Sequence, residues 1–172
     1  MKSRLQVQEL VYGSLLAALA ILIPTVFKGW LQVYIPPFSA TLGSHVPTML
    51  AMFISPWVAA LVGIGSAFGF FVTLGPVVAI RAAVHIIFGV IGAKLFRNGK
   101  KSWVVLALTA VPHALGEALV VIPLGFDLYQ AFIVVGVGTI LHHSVDSVIA
   151  LALKGSLAKA GLPLNELISA EN

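Results

Sequence analysis

Residues 77–96 read VVAIRAAVHIIFGVIGAKLF, and before the terminal Lys94 their only ionisable groups are Arg81 and His85. A run of about 20 apolar residues is what a helix needs to cross a bilayer core. Positions i and i+4 share a helix face, so Arg81 and His85 form one polar stripe on an otherwise apolar span. The arrangement recurs as His113/Glu117 and as His142/Asp146 in two later apolar segments. Ionisable groups inside a span are costly and normally face a bundle interior or a wet cavity. Three such stripes describe a polar ligand pocket inside a membrane protein.

Composition agrees. Apolar residues make up 59% of the 172, charged residues 9%, and mean hydropathy is +1.05. A soluble domain carries about 25% charged residues. The length allows about six spans of ~20 residues and leaves no room for a nucleotide-binding module, so residues 1–172 read as one integral membrane domain. With no cysteine, disulfide frameworks, thiol catalysis and Cys-ligated zinc are excluded. The net charge of +4 is no nucleic-acid signal, because most Lys and Arg flank the apolar segments, where topology places them.

Apolar segments fall at 9–29, 45–56, 57–73, 77–96, 103–124 and 128–153. Ile35-Pro36-Pro37, Ser55-Pro56, Gly75-Pro76, the polar run 97–101 and the stretch around Pro123 separate them, each a proline- or glycine-directed break or a polar loop. The second is the short one, ~17 Å as a helix, and starts earlier or forms a hairpin with the third. The expected fold is an all-α bundle of six transmembrane helices with both termini cytoplasmic. That orientation puts Lys2, Arg4, Lys94, Arg97, Lys100, Lys101, Lys154 and Lys159 inside, as the positive-inside rule requires. The first apolar run continues past Ala20 to Phe27, longer than a secretion-signal core, so it is expected to remain as a span.

Small residues recur at spacing four as Gly13/Ala17, Ser14/Ala18, Ala59/Gly63 and Gly65/Gly69. Such faces let helices approach closely in lipid, most of them within the bundle. At the start of the first span, contact with a partner helix is also open. Counting from the outer turns at 1.5 Å per residue places His45, Arg81, His85 and Glu117 in one outer layer, with His113 as its floor. His142, His143 and Asp146 come out deeper, His142 ~20 Å down, where a structural or partner-facing role is expected. The bland alternatives are snorkelling of Arg81 to headgroups and a structural His113–Glu117 pair.

No HExxH occurs, since HALGE and HHSVD carry the wrong spacing, and no nucleophile–base motif accompanies the stripes. Two His and two carboxylates can bind a divalent metal, but Arg81 at the mouth would repel a cation, so neither metal nor cofactor is expected. The outer loop 28–45 carries Trp30, which suits a headgroup anchor, and Tyr34 and Phe38, which can anchor likewise or cover a planar ligand.

The stretch IPPFSATLGSHVPTMLAMFISPWVAALVGIGSAFGFF (35–71) followed by GPVVAIRAAVHIIFGVIGA (75–93) resembles the substrate-binding S components of energy-coupling factor (ECF) vitamin transporters, the niacin-specific type in particular. The resemblance implies an uncatalytic vitamin-binding subunit with the first loop as lid. It implies association with a transmembrane coupling subunit and two cytoplasmic ATPases, and toppling in the bacterial cytoplasmic membrane to release cargo. The family's Ala-x-x-x-Ala contact face is only partly matched, by Gly13/Ala17 or Ser14/Ala18. The N-terminal Met-His of metal-specific relatives is missing.

Nicotinate, a planar aromatic carboxylate, fits the expected chemistry: Arg81 for the carboxylate, His85, His45, Glu117 and His113 around it, Tyr34 and Phe38 over the ring. Pantothenate also carries a carboxylate, so charge alone does not choose between them. A channel or structural subunit is the alternative outside vitamin transport. The chain has no phosphate loop of the G-x-x-x-x-G-K-[ST] kind, so any ATP-driven step belongs to partners.

Overall fold

The computed structural model describes residues 2–162 and Leu164, with side chains described from Val7 onward. Among the described residues, five helices are long and apolar enough to cross a membrane. They are α1 (Lys2–Val26), α3 (Pro56–Leu74), α4 (Pro76–Arg97), α5 (Ser102–Val121) and the helix ending in α6 (Gly138–Lys159). The last begins at Gln130, and its first two turns, Gln130–Val137, have the wide π pitch. Between α1 and α3 lie an antiparallel hairpin, β1 (Gln32–Ile35) and β2 (Phe38–Thr41), and a short helix α2 (Val46–Ala51).

Local chemistry sets the boundaries. Ser55 Oγ accepts from Val58 N–H at 3.3 Å with Pro56 at the first helical position, a standard opening for α3. Gly75, at φ +85°, makes the turn into α4 that an L side chain would resist. The small-residue stripes of α3 face other helices. A Cβ on Gly63 would lie 2.7 Å from Ile86 N, and one on Gly69 would lie 2.8 Å from Ile21 Cα. Both glycines therefore permit backbone-to-backbone packing, as lipid-embedded bundles require. Leu10, Leu15, Leu19 and Leu22 of α1 remain exposed on the protein surface, as an element facing lipid would leave them.

The second expected span, 45–56, is corrected: its helix is six residues long and entirely buried. The chain nevertheless runs the length of the bundle there, side by side with α4. Arg81 meets Pro37 and Ser39, His85 meets His45, Gly89 meets Thr48, Gly92 meets Met52, and Phe96 meets Phe53. Arg81 to Phe96 along α4 is ~22 Å. Strand, turn and short helix together cover that distance. Such non-helical backbone is tolerated at membrane depth only when protein buries it, and here it is the centre of the core: Met49, Met52, Phe53 and Ile54 are fully buried.

The two ends of the bundle differ. One carries the hairpin and Lys28, whose Nζ donates to the Thr73 carbonyl at the end of α3 at 2.7 Å. The other carries Lys94, Arg97, Lys100 and Lys101, with Lys154 placed over the Phe53 and Phe96 rings. The side chains of Lys2 and Arg4, and residues 165–172, lie outside the described residues.

Candidate functional site

Helical spacing delivers the polar groups to one place. α4 projects Arg81 and His85 inward, α5 projects His113 and Glu117, and α6 projects Thr139, His143 and Asp146, all at most 3% exposed. The connection from β2 to α2 threads His45 between them. Its ring lies 4.8 Å from His85, 4.6 Å from His113 and 4.2 Å from His142, centroid to centroid. The α6 stripe expected to lie deeper thus sits in the same layer. The count of ~20 Å from the outer start of the segment assumes an α-helical rise throughout, whereas its turns over Gln130–Val137 are π-wound.

Arg81 and Glu117 form the charged centre. Arg81 donates from Nε (3.2 Å) and Nη2 to Glu117 Oε2, and from Nη1 to the Pro37 carbonyl (2.8 Å) and Ser39 Oγ (3.3 Å). Thr139 Oγ1 donates to the same Glu117 oxygen at 2.6 Å. Arg81 therefore points into the protein, held by both a carboxylate and the hairpin. The Phe38 ring lies 5.5 Å from the guanidinium carbon, close enough for cation–π attraction. Tyr34 is 57% exposed on β1 and does not line the cavity in this state.

The other Glu117 oxygen, Oε1, faces histidines: His113 Nε2 at 3.4 Å and His85 Nε2 at 3.8 Å. Hydrogen bonding fixes how neutral rings must be oriented. His143 Nε2 contacts the Leu106 carbonyl at 2.9 Å, which only accepts, so His143 carries its proton there. Its Nδ1 then accepts from His113 Nδ1 at 2.9 Å. A neutral His113 consequently turns its Nε2 lone pair toward Glu117, two acceptors face to face. His85 Nδ1 is held by Ser66 Oγ at 2.8 Å, and His113 stacks on Phe88 at 4.1 Å.

Asp146 has another task. Its carboxylate accepts the backbone N–H groups of Gly43 (2.8 Å) and His45 (3.0 Å), and His142 Nε2 lies 3.2 Å away. It therefore holds the turn that leads from the hairpin into α2, replacing the backbone bonds a continuous helix would have made. Sequence reasoning missed Ser39, Ser66 and Thr139. Only Thr139 had a signal, sharing the helix face of His143 and Asp146 at spacings of four and three.

Ser39, His45, Arg81, His85, Glu117 and His142 border a cavity of about 10 Å³, room for about one water. With the hairpin in this position the cavity admits nothing larger. Of the first-span residues, Gly13 is buried against Val58 of α3, and Ala17 packs on Gly65. Ser14 and Ala18 are exposed.

No family model matches the chain, and no solved structure matches it. The niacin transporter NiaX of Lactococcus lactis subsp. cremoris (strain MG1363) is 31% identical over 184 residues. The alignment covers 97% of this chain and 82% of that relative.

Proposed function

The chain belongs to the niacin-transporter type of ECF S components, and from that premise we propose that it captures nicotinate for an ATP-driven importer. One observation carries the reading of the site: a fully engaged guanidinium, Arg81, lies in the core with the hairpin's Pro37 carbonyl and Ser39 hydroxyl on its Nη1. Those hairpin oxygens occupy positions that a ligand carboxylate would take. Opening the hairpin frees that edge of Arg81 while Glu117 keeps its own edge neutralised. Nicotinate then enters with its carboxylate on Arg81 and its ring near Phe38, His45, His85 and His113, and Tyr34 covers it on closure. A planar guanidinium suits a carboxylate because two parallel hydrogen bonds form at once.

Six crossings, with the hairpin outside and both termini in the cytoplasm, are the orientation we assign in the bacterial cell membrane. The positive end of the bundle supports it. Cargo release belongs to a complex with a transmembrane coupling subunit and two cytoplasmic ATPases, on which this subunit topples. The exposed Ser14/Ala18 side of α1 is the surface we assign to that docking, with Gly13 and Ala17 keeping α1 against α3. A panel of B vitamins in a thermal-shift assay tests the substrate: nicotinate should stabilise the purified protein most. Stabilisation by pantothenate alone would move the assignment to another carboxylate vitamin. Stabilisation by none would favour a channel or structural subunit.

A further inference from the structure

One ring nitrogen each of His45, His85 and His113 and one oxygen of Glu117 fall within 4.8 Å of one another, all buried. We propose that this cluster binds a divalent transition-metal ion of the zinc, nickel or cobalt kind, a capacity that goes beyond nicotinate capture. A tetrahedral ion with ligands at about 2.0–2.1 Å needs its donor atoms about 3.3 Å apart. Glu117 Oε1 already lies 3.4 Å from His113 Nε2 and 3.8 Å from His85 Nε2, so small rotamer changes complete the shell.

Three further observations point the same way. First, the His113 Nε2 lone pair is turned on a carboxylate oxygen 3.4 Å away, and this nitrogen is buried without a hydrogen-bond partner. Facing acceptors are relieved by a cation between them. Second, the outer nitrogens have the supports that metal-bound histidines use. His113 Nδ1 is bound to His143, His85 Nδ1 to Ser66, and His45 Nδ1 lies 3.2 Å from the Asp146 carboxylate. Third, Arg81 is no barrier to a cation, since Glu117 Oε2 neutralises it. With neutral histidines, Asp146 leaves the cluster one negative charge in excess. A dication brings it to a single positive charge, which an anionic carboxylate would balance. Three imidazoles and one carboxylate select borderline metals over calcium or magnesium. The second grouping, His45, His142 and Asp146, is less suited, because both Asp146 oxygens already hold backbone N–H groups.

The test uses the full untagged chain, purified with a chelator and then titrated with Zn2+ and, separately, with Co2+. Expected are one ion per chain, tetrahedral Co2+ absorption, and an X-ray absorption edge showing imidazole and oxygen neighbours. His85→Asn and His113→Asn should each weaken Zn2+ binding at least tenfold, and His142→Asn should not. The absorption measurements on wild-type protein decide the matter even where a variant fails to fold. No stoichiometric ion, or loss on His142→Asn with His113→Asn unaffected, overturns the proposal. Nicotinate titration of the same samples separates the two readings. Nicotinate bound without any ion site overturns the ion alone. An ion bound with nicotinate ignored supports the ion and overturns the substrate.

Discussion

Replacing Arg81 by alanine tests the pocket where its charge is concentrated. Arg81 gives two donors to Glu117 and its Nη1 to the hairpin oxygens of Pro37 and Ser39. In the proposed bound state the ligand carboxylate takes two donors from that Nη1 edge. Hydrogen bonds to charged groups contribute about 1.5–3 kcal/mol each, so Arg81→Ala should cost about 3–6 kcal/mol of binding, a rise in Kd of about 10²- to 10⁴-fold. The same change leaves Glu117 buried with Thr139 and His113 but no cation, and breaking a buried pair costs about 3–5 kcal/mol of stability. The two effects separate in a double variant. Arg81→Ala with Glu117→Gln should recover much of the lost melting temperature and none of the affinity. Arg81→Lys should recover part of each, because a point charge cannot form the planar fork. Calorimetric titration with nicotinate beside thermal melting reads both. An Arg81→Ala protein that folds and keeps wild-type affinity would refute the anchor and leave Arg81 as a structural tie for the hairpin.

Ala18→Leu should abolish uptake by the assembled transporter while nicotinate binding by the isolated subunit stays intact; equal loss of binding would make the exposed side of α1 a packing surface. A Cβ on Gly138 would lie 2.8 Å from the Phe38 ring, so Gly138→Ala should loosen the hairpin and raise both association and dissociation rates in stopped-flow fluorescence. Unchanged rates would mean that Phe38 does not latch the lid. Asp146→Ala leaves two buried backbone N–H groups without an acceptor, at about 1–3 kcal/mol each, and should lower the melting temperature clearly, with Asp146→Asn intermediate; a wild-type melt for Asp146→Ala would contradict its anchoring role.

The long helices were legible because apolar length and proline or glycine punctuation are local properties: α3, α4 and α5 begin within a residue of where the sequence places them. The Arg81/His85 and His113/Glu117 stripes were legible for the same reason, since i,i+4 spacing fixes a face. The second apolar segment was not. Its apolar run, Val46 to Ile54, looks alike as helix or as buried irregular chain, and what decides it is Asp146, about a hundred residues away, taking the N–H groups of Gly43 and His45. The level of the α6 stripe escaped for a related reason, because the π-wound turns before Gly138 shift the register in a way no residue pattern announces. The hairpin's grip on Arg81 depends on a backbone carbonyl, Pro37, which no side-chain pattern can reveal.

The central claim, a binding subunit for a small aromatic carboxylate, is tested most directly by titrating the purified chain, without ATP or partners, with nicotinate and with its neutral amide. The account predicts one nicotinate per chain and far weaker binding of nicotinamide, because Arg81 meets a charge in one and a dipole in the other. Equal affinity for acid and amide, or no binding of either, would contradict it.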